Sequence, residues 1–98
     1  MKEIEKLAKK LGALSHPLRI NIVALLTGGE MYLSEIANQL GVSRALTKIH
    51  LKKLERTGLV RSKIVLVEGE ARALRYYTLE DFDIHVTPLL LAEMRDDQ

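Results

Sequence analysis

The sequence predicts an α+β fold in which helices come first and a β-hairpin follows. Helical periodicity runs through residues 2–57 and breaks only at short turns. Two β-prone runs, "LVRSKIVLV" and "ARALRYYTL", then flank "EGE". Within residues 34–57 two short helical patterns are split by a tight glycine turn. The 98 residues make one domain, 1–98, with a single modest core. At 47% hydrophobic and only 4% aromatic residues, that core is expected to be aliphatic.

Residues 1–14 place Ile4, Leu7, Leu11 and Leu14 at helical spacing, a narrow apolar seam suited to coiled-coil-like packing. Gly12 weakens the end of this helix, and the stretch from Ser15 to Pro17 ends it. Pro17 suits the first turn of a second helix, "PLRINIVALLT", with Leu18, Ile22, Leu25 and Leu26 facing the core. Gly28 and Gly29 stop it. Met31 to Leu33 reads as a short extended link, and Ser34 as the cap of "EIANQL", with Ile36, Ala37 and Leu40 inward. Gly41 turns the chain, Ser43 caps the next helix, and Gly58 closes it after Thr57. The runs across 59–79 then form the hairpin. In 80–98, Phe82, Ile84 and Val86 alternate with Asp83, His85 and Thr87, so 81–87 is read as extended. Thr87 caps a short helix over 88–96 with Pro88 at its first position.

Composition excludes several functions. Cysteine is absent, which removes disulfides, thiolate metal sites and thiol catalysis together. No apolar run approaches the roughly 18 residues of a membrane span, and "MKEIEKLAKKLG" lacks the apolar stretch of a signal peptide. A cytoplasmic location without a membrane partner is the expectation. No serine, histidine and acid stand at the spacing of a catalytic triad, and no glycine-rich phosphate loop exists. The chain is expected not to be an enzyme and to need no cofactor. Its net charge of +2 hides an uneven distribution. From Ser43 to Lys63 stand Arg44, Lys48, Lys52, Lys53, Arg56, Arg61 and Lys63 against Glu55 alone, whereas from Glu80 onward acids dominate. A basic middle suits a polyanion; a solvated helix face is the bland alternative.

Rotating residues 44–57 at about 100° per residue gathers Leu46, Thr47, His50, Leu51 and Leu54 on one side. Arg44, Ala45, Lys48 and Lys52 fall on the other, with Ile49 on the flank. That arrangement suits a helix lying in a DNA major groove. Arg44 is the candidate for bidentate guanine contact, Ala45 for a thymine methyl, and Lys48 and Lys52 for phosphates. Ser43 is a candidate phosphate donor, with capping as its competing role. Thr47 and His50 are polar on an apolar side, and His50 is read as a satisfied structural histidine. His16 is read as a helix-start or packing residue.

Ala37 four residues before Gly41, with Val42 following, is similar to the helix-turn-helix pattern. "HPLR", "LGVS", "HLKKLERTGLV" and "RYY" resemble the ArsR family of winged helix-turn-helix transcriptional repressors across residues 14–79. The resemblance implies a homodimer on double-stranded DNA, with helix-turn-helix 34–57 inside a helical core 15–58 and a wing over 59–79. It implies dimerisation through the first and last helices, here Ile4, Leu7, Leu11 and Leu14 with Leu89, Leu90 and Met94; packing of both ends within one chain is the alternative. Arg72, near the wing tip, is the candidate for the minor groove or backbone, with Arg75, Lys63 and Arg61 further down the arms. Glu68 and Glu70 at the tip oppose phosphate. Asp83 and His85 resemble the start of the site in zinc-sensing members. The partner half of such a site would fall near Asp96 and past Gln98, so no metal site is expected. Tyr32 and Ser34 stand where the family's thiol ligands would be. A zinc-responsive repressor and a winged-helix protein-interaction module are the alternatives, and the effector is left unassigned.

Overall fold

The computed structural model describes residues 2–69 and 72–96. Five helices and three short strands follow in the order α1 (Lys2–Ala13), α2 (Pro17–Leu26), β1 (Met31–Tyr32), α3 (Leu33–Leu40), α4 (Arg44–Arg56), β2 (Val60–Leu66), β3 (Ala73–Leu79) and α5 (Pro88–Asp96). Among the described residues no helix is long and apolar enough to cross a membrane.

The sheet is antiparallel in the order β1-β3-β2. Val60 pairs with Leu79 at the base of the hairpin and Leu66 with Ala73 near its tip. The link read as merely extended is in fact an edge strand, Met31 pairing with Tyr77 and Tyr32 with Tyr76. Two residues are too few to show a period of two, so sequence alone gave no strand there. Tyr32 and Tyr76 stack edge to face across that pairing, with centroids 5.7 Å apart.

The core is aliphatic apart from one tyrosine: Ile22, Leu26, Ile36, Leu51, Leu54, Leu59 and Val60 enclose Tyr77. Leu25 is half-buried against this cluster, and Leu18 is half-buried outside it. Ser34 does not cap α3. Tyr32 takes the cap position, and its N–H donates to Glu35 Oε1 at 3.2 Å, so the acid three residues on supplies the capping. Gly41 adopts the left-handed conformation that ends α3 (φ 68°), and Val42 N–H returns to the Ala37 carbonyl at 3.2 Å. Thr87 caps α5, accepting from Leu90 N–H at 3.1 Å.

Below the helices lies a polar tie that the apolar pattern concealed. Arg19, only 7% exposed, donates through Nε to the Ala13 carbonyl at 2.6 Å and through Nη2 to the Gly12 carbonyl at 3.4 Å. Its Nη1 stands 3.0 Å from Nδ1 of His50, which is 6% exposed. A guanidinium has donors only, so Nδ1 accepts and the His50 proton sits on Nε2. The cation also lies at the C-terminal end of α1, where the helix dipole favours it. His16 caps α2 through Nδ1, which accepts from Leu18 N–H at 3.1 Å, and its ring packs on His50 with centroids 4.4 Å apart. The helix-start role read for His16 and the satisfied state read for His50 both hold, with His50 almost wholly buried.

Two outcomes test this tie. Arg19→Met orphans the Ala13 carbonyl and His50 Nδ1 and is expected to cost about 2–4 kcal/mol in urea unfolding, at one to two for each lost partner. Burial first, then the charges of His16, Arg19 and Lys53, hold the His50 pKa below its ordinary 6.5. Between that lowered value and 6.5 the unfolded chain binds a proton that the fold refuses. His50 therefore contributes stability that is fully present above 6.5 and declines as pH falls toward the lowered value. Urea midpoints measured from about pH 8 to about pH 5.5 should fall less steeply in His50→Asn, whose amide oxygen still accepts from Arg19 without titrating.

Candidate nucleic-acid interface

α4 begins where Ser43, in extended conformation, accepts from Leu46 N–H at 3.1 Å. The capping role weighed for Ser43 is thus occupied. Thr47, Leu51 and Leu54 are fully buried and His50 nearly so. Thr47 tolerates its apolar surroundings because its hydroxyl donates to the Ser43 carbonyl at 2.8 Å. Leu46, expected on this side, is 38% exposed. It stands about 90° from the middle of the buried quartet, too far round the helix to reach the core.

The rest of the helix surface carries Arg44, Ala45, Lys48, Ile49, Lys52, Lys53 and Arg56, all exposed. Arg44, Ala45, Lys48 and Lys52 are exposed as expected, but Arg44 and Lys48 lie on the flank, about 70° and 110° from the middle of the buried quartet. Ile49, read on the flank, lies about 150° from that middle, on the outer side. The hairpin leans alongside. Lys48, Lys52 and Arg56 share an open channel of ≈ 500 Å³ with Glu55, Arg75 and Tyr77. Arg44 and Lys48 border a second space of ≈ 190 Å³ with Ser34 of α3 and Leu74 and Arg75 of β3.

Arg75 is the cation that sequence reasoning passed over, naming it only as a residue down the arm. The signal was the alternation of β3, which puts Arg75 on the face of Tyr77, the strand's buried residue. Arg75 Nη1 donates to Ser62 Oγ at 2.9 Å, and that hydroxyl donates to Glu55 Oε2 at 3.0 Å. This relay ties hairpin to helix and fixes Arg75 beside the lysines. Burial first, then the Glu55 charge, pushes the Tyr77 hydroxyl above its ordinary pKa of 10.0, with Arg75 opposing, so it stays protonated at neutral pH.

Two basic residues counted with this face do not belong to it. Arg61 and Lys63 alternate with Ser62 and so point to the other side of the sheet. There Arg61 Nη1 pairs with Glu80 Oε1 at 3.0 Å and Lys63 Nζ with Glu30 Oε2 at 3.4 Å. Arg72 is exposed near the hairpin tip, where its carbonyl accepts from Val67 N–H at 3.3 Å. Glu68 is exposed there too, while Glu70 lies outside the described residues.

The helix-turn-helix domain family matches residues 14–63. The chain belongs to the helix-turn-helix family. An HTH-type transcriptional regulator of Methanocaldococcus jannaschii is 34% identical over 90 residues, which are 91% of this chain and 93% of that relative. Among solved structures, HlyU of Vibrio cholerae has a TM-score of 0.67 at 26% identity, covering 96% of this chain and 89% of its own. The homodimeric winged helix-turn-helix DNA-binding domain of a possible ArsR-family regulator from Mycobacterium bovis has a TM-score of 0.68 at 27% identity. That likeness covers 80% of this chain and 67% of the other. This helix-turn-helix protein is accordingly a winged-helix DNA-binding transcriptional regulator.

The regulator's two end helices touch one another. Leu7 of α1 lines a cleft of ≈ 430 Å³ with Leu90 and Met94 of α5, so these residues, expected at a dimer contact, face one another within one chain, as in the intramolecular alternative. Ile4 is half-buried, and Leu14 is half-buried against the core. Leu11, Leu89 and Leu91 stay exposed, Leu89 at 71%. Residues 81–87 form no helix or strand. Within them His85 Nε2 stands 3.1 Å from Asp83 Oδ1, both exposed. Lys6 and Lys10 border the same cleft. Among the described residues no three His, Cys, Asp or Glu side chains gather as a metal site.

Proposed function

We propose that this regulator binds operator DNA as a homodimer and represses by occupying a promoter. One observation carries the reading: Arg44, Ala45, Lys48 and Lys52 stand exposed on α4, clear of its buried quartet, with Ala45 and Lys52 on the far side and Arg44 and Lys48 on the flank toward the hairpin. On this reading the first turn of α4 enters the major groove with Arg44 on a guanine and Ala45 near a thymine methyl. Lys48 and Lys52 meet flanking phosphates, with Ser43 at the helix entry. Arg75, braced against Glu55 through Ser62, adds a cation on the wing side, and Arg72 sits where the wing would meet the minor groove or backbone. The exposed leucines of α1 and α5 form the dimer contact, with Ile4, Leu7, Leu90 and Met94 beneath them. The homodimeric Mycobacterium bovis neighbour supports this assembly. A protein-interaction module would present a neutral or apolar α4, and the cations speak against it.

Lys52→Ala is expected to weaken all duplexes alike and lower the salt slope by about one. Arg44→Ala should cost about 1–3 kcal/mol and relax preference at one base pair. Gel-shift titrations at several salt concentrations read both, and unchanged binding by both variants would reassign the face. For the assembly, Leu89→Glu should leave the helix content seen by circular dichroism intact, because Leu89 is exposed in the isolated chain. Sedimentation should show that variant as a monomer with weakened operator affinity, whereas a dimer of normal affinity would move the interface elsewhere.

A further inference from the structure

The outer meridian of α4 is not its most cationic line. The buried residues Thr47, His50, Leu51 and Leu54 centre on one direction, and the opposite direction passes through Ala45, Ile49, Lys52 and Arg56. Ala45 and Ile49, four residues apart, lie one above the other there. Ile49 is 54% exposed. A lone exposed isoleucine is ordinary on a protein surface. This one is fenced by exposed lysines one residue before it and three and four after it, at Lys48, Lys52 and Lys53. Those long side chains reach outward to phosphates, whereas isoleucine is short, branched and apolar. A helix held by such a fence lays its short strip on the groove floor. The one apolar feature that base pairs present on that floor is the 5-methyl group of thymine.

We propose that Ile49 is a specificity-determining residue, packing on a thymine methyl in the operator half-site. The assignment rests on α4 being the groove-reading helix and extends it to a base. Ile49 lies five residues beyond Arg44, about 7.5 Å along the helix axis, so with α4 along the groove its thymine falls about two base pairs from the guanine that Arg44 reads.

Uracil lacks only the 5-methyl group of thymine, so it removes the partner without altering base pairing. A duplex selected from random sequence by the wild-type protein is remade with uracil at each thymine of one half-site in turn. Fluorescence anisotropy then gives the affinity of wild type, Ile49→Ala and Ile49→Gln for every duplex. One position should weaken wild type about four-fold, the burial of a single methyl, and leave both variants almost unaffected. Losses at other thymines should be equal in all three proteins. Identical uracil profiles in wild type and variants would overturn the assignment while leaving DNA binding intact. A flat wild-type profile would do the same. Failure of the wild type to select any duplex would remove the DNA-reading role of α4 and this inference with it. Both substitutions replace a β-branched residue on an exposed helix face, and circular dichroism melting confirms that the variants fold.

Discussion

A buried guanidinium organises this molecule. Arg19 leaves α2 and, with one planar group, holds two carbonyls at the end of α1 and an imidazole on α4. Three helices are thereby fixed at one point by directional bonds, where apolar packing alone would fix only approximate distances. The cost of burying the charge is offset by the carbonyls it receives, which are the acceptors a helix leaves unsatisfied at its C-terminus. His50 completes the set only as a neutral acceptor, which its burial and its cationic neighbours enforce. α4 is thus anchored by a polar group on its inner side and charged on its outer side.

Much of this was legible because local chemistry and the global fold agree. Gly41, Ser43, Gly58 and Thr87 each mark an element end that the chain takes, and the hairpin follows its β-branched runs. The illegible parts are those decided across the chain. Arg19 reads as a charge interrupting an apolar face, because nothing near it in sequence announces the carbonyls of Gly12 and Ala13. Tyr32 gains its strand only from Tyr76, more than forty residues on. Glu35 displaces Ser34 as the capping group because α3 begins two residues earlier than the serine suggests. In the candidate site the helix periodicity resolved Arg44, Lys48 and Lys52. Arg75 needed the hairpin register to bring it beside them.

Charge is sorted by the sheet as well as by the sequence. The basic run looks uniform from Arg44 to Lys63, yet strand alternation sends Arg61 and Lys63 to the far face, where Glu80 and Glu30 meet them. What remains toward α4 is a compact group of Lys48, Lys52, Arg56 and Arg75, with one acid, Glu55, turned to brace Ser62. Pairs exposed on the far face contribute little stability individually. Their larger effect is electrostatic: a positive face set against a neutralised one orients an approaching polyanion.

The Arg19 tie also bears on how two copies would read DNA. Its carbonyl partners end α1, whose seam lies against α5, and its imidazole partner sits within α4. On the proposed assembly the dimerising surface and the groove-reading helix would therefore be joined through the Arg19 tie rather than through a flexible linker. In a dimer formed by α1 and α5, the separation of the two α4 helices is inherited from that junction and not free to adjust. A two-fold site requires them about 34 Å apart, one turn of DNA. A change that tilts α1 against α4 would alter that separation while leaving every DNA-facing side chain in place. Loss of operator binding from a substitution at Arg19 would then arise from geometry, with non-specific affinity retained, which sets it apart from loss of a phosphate-binding lysine.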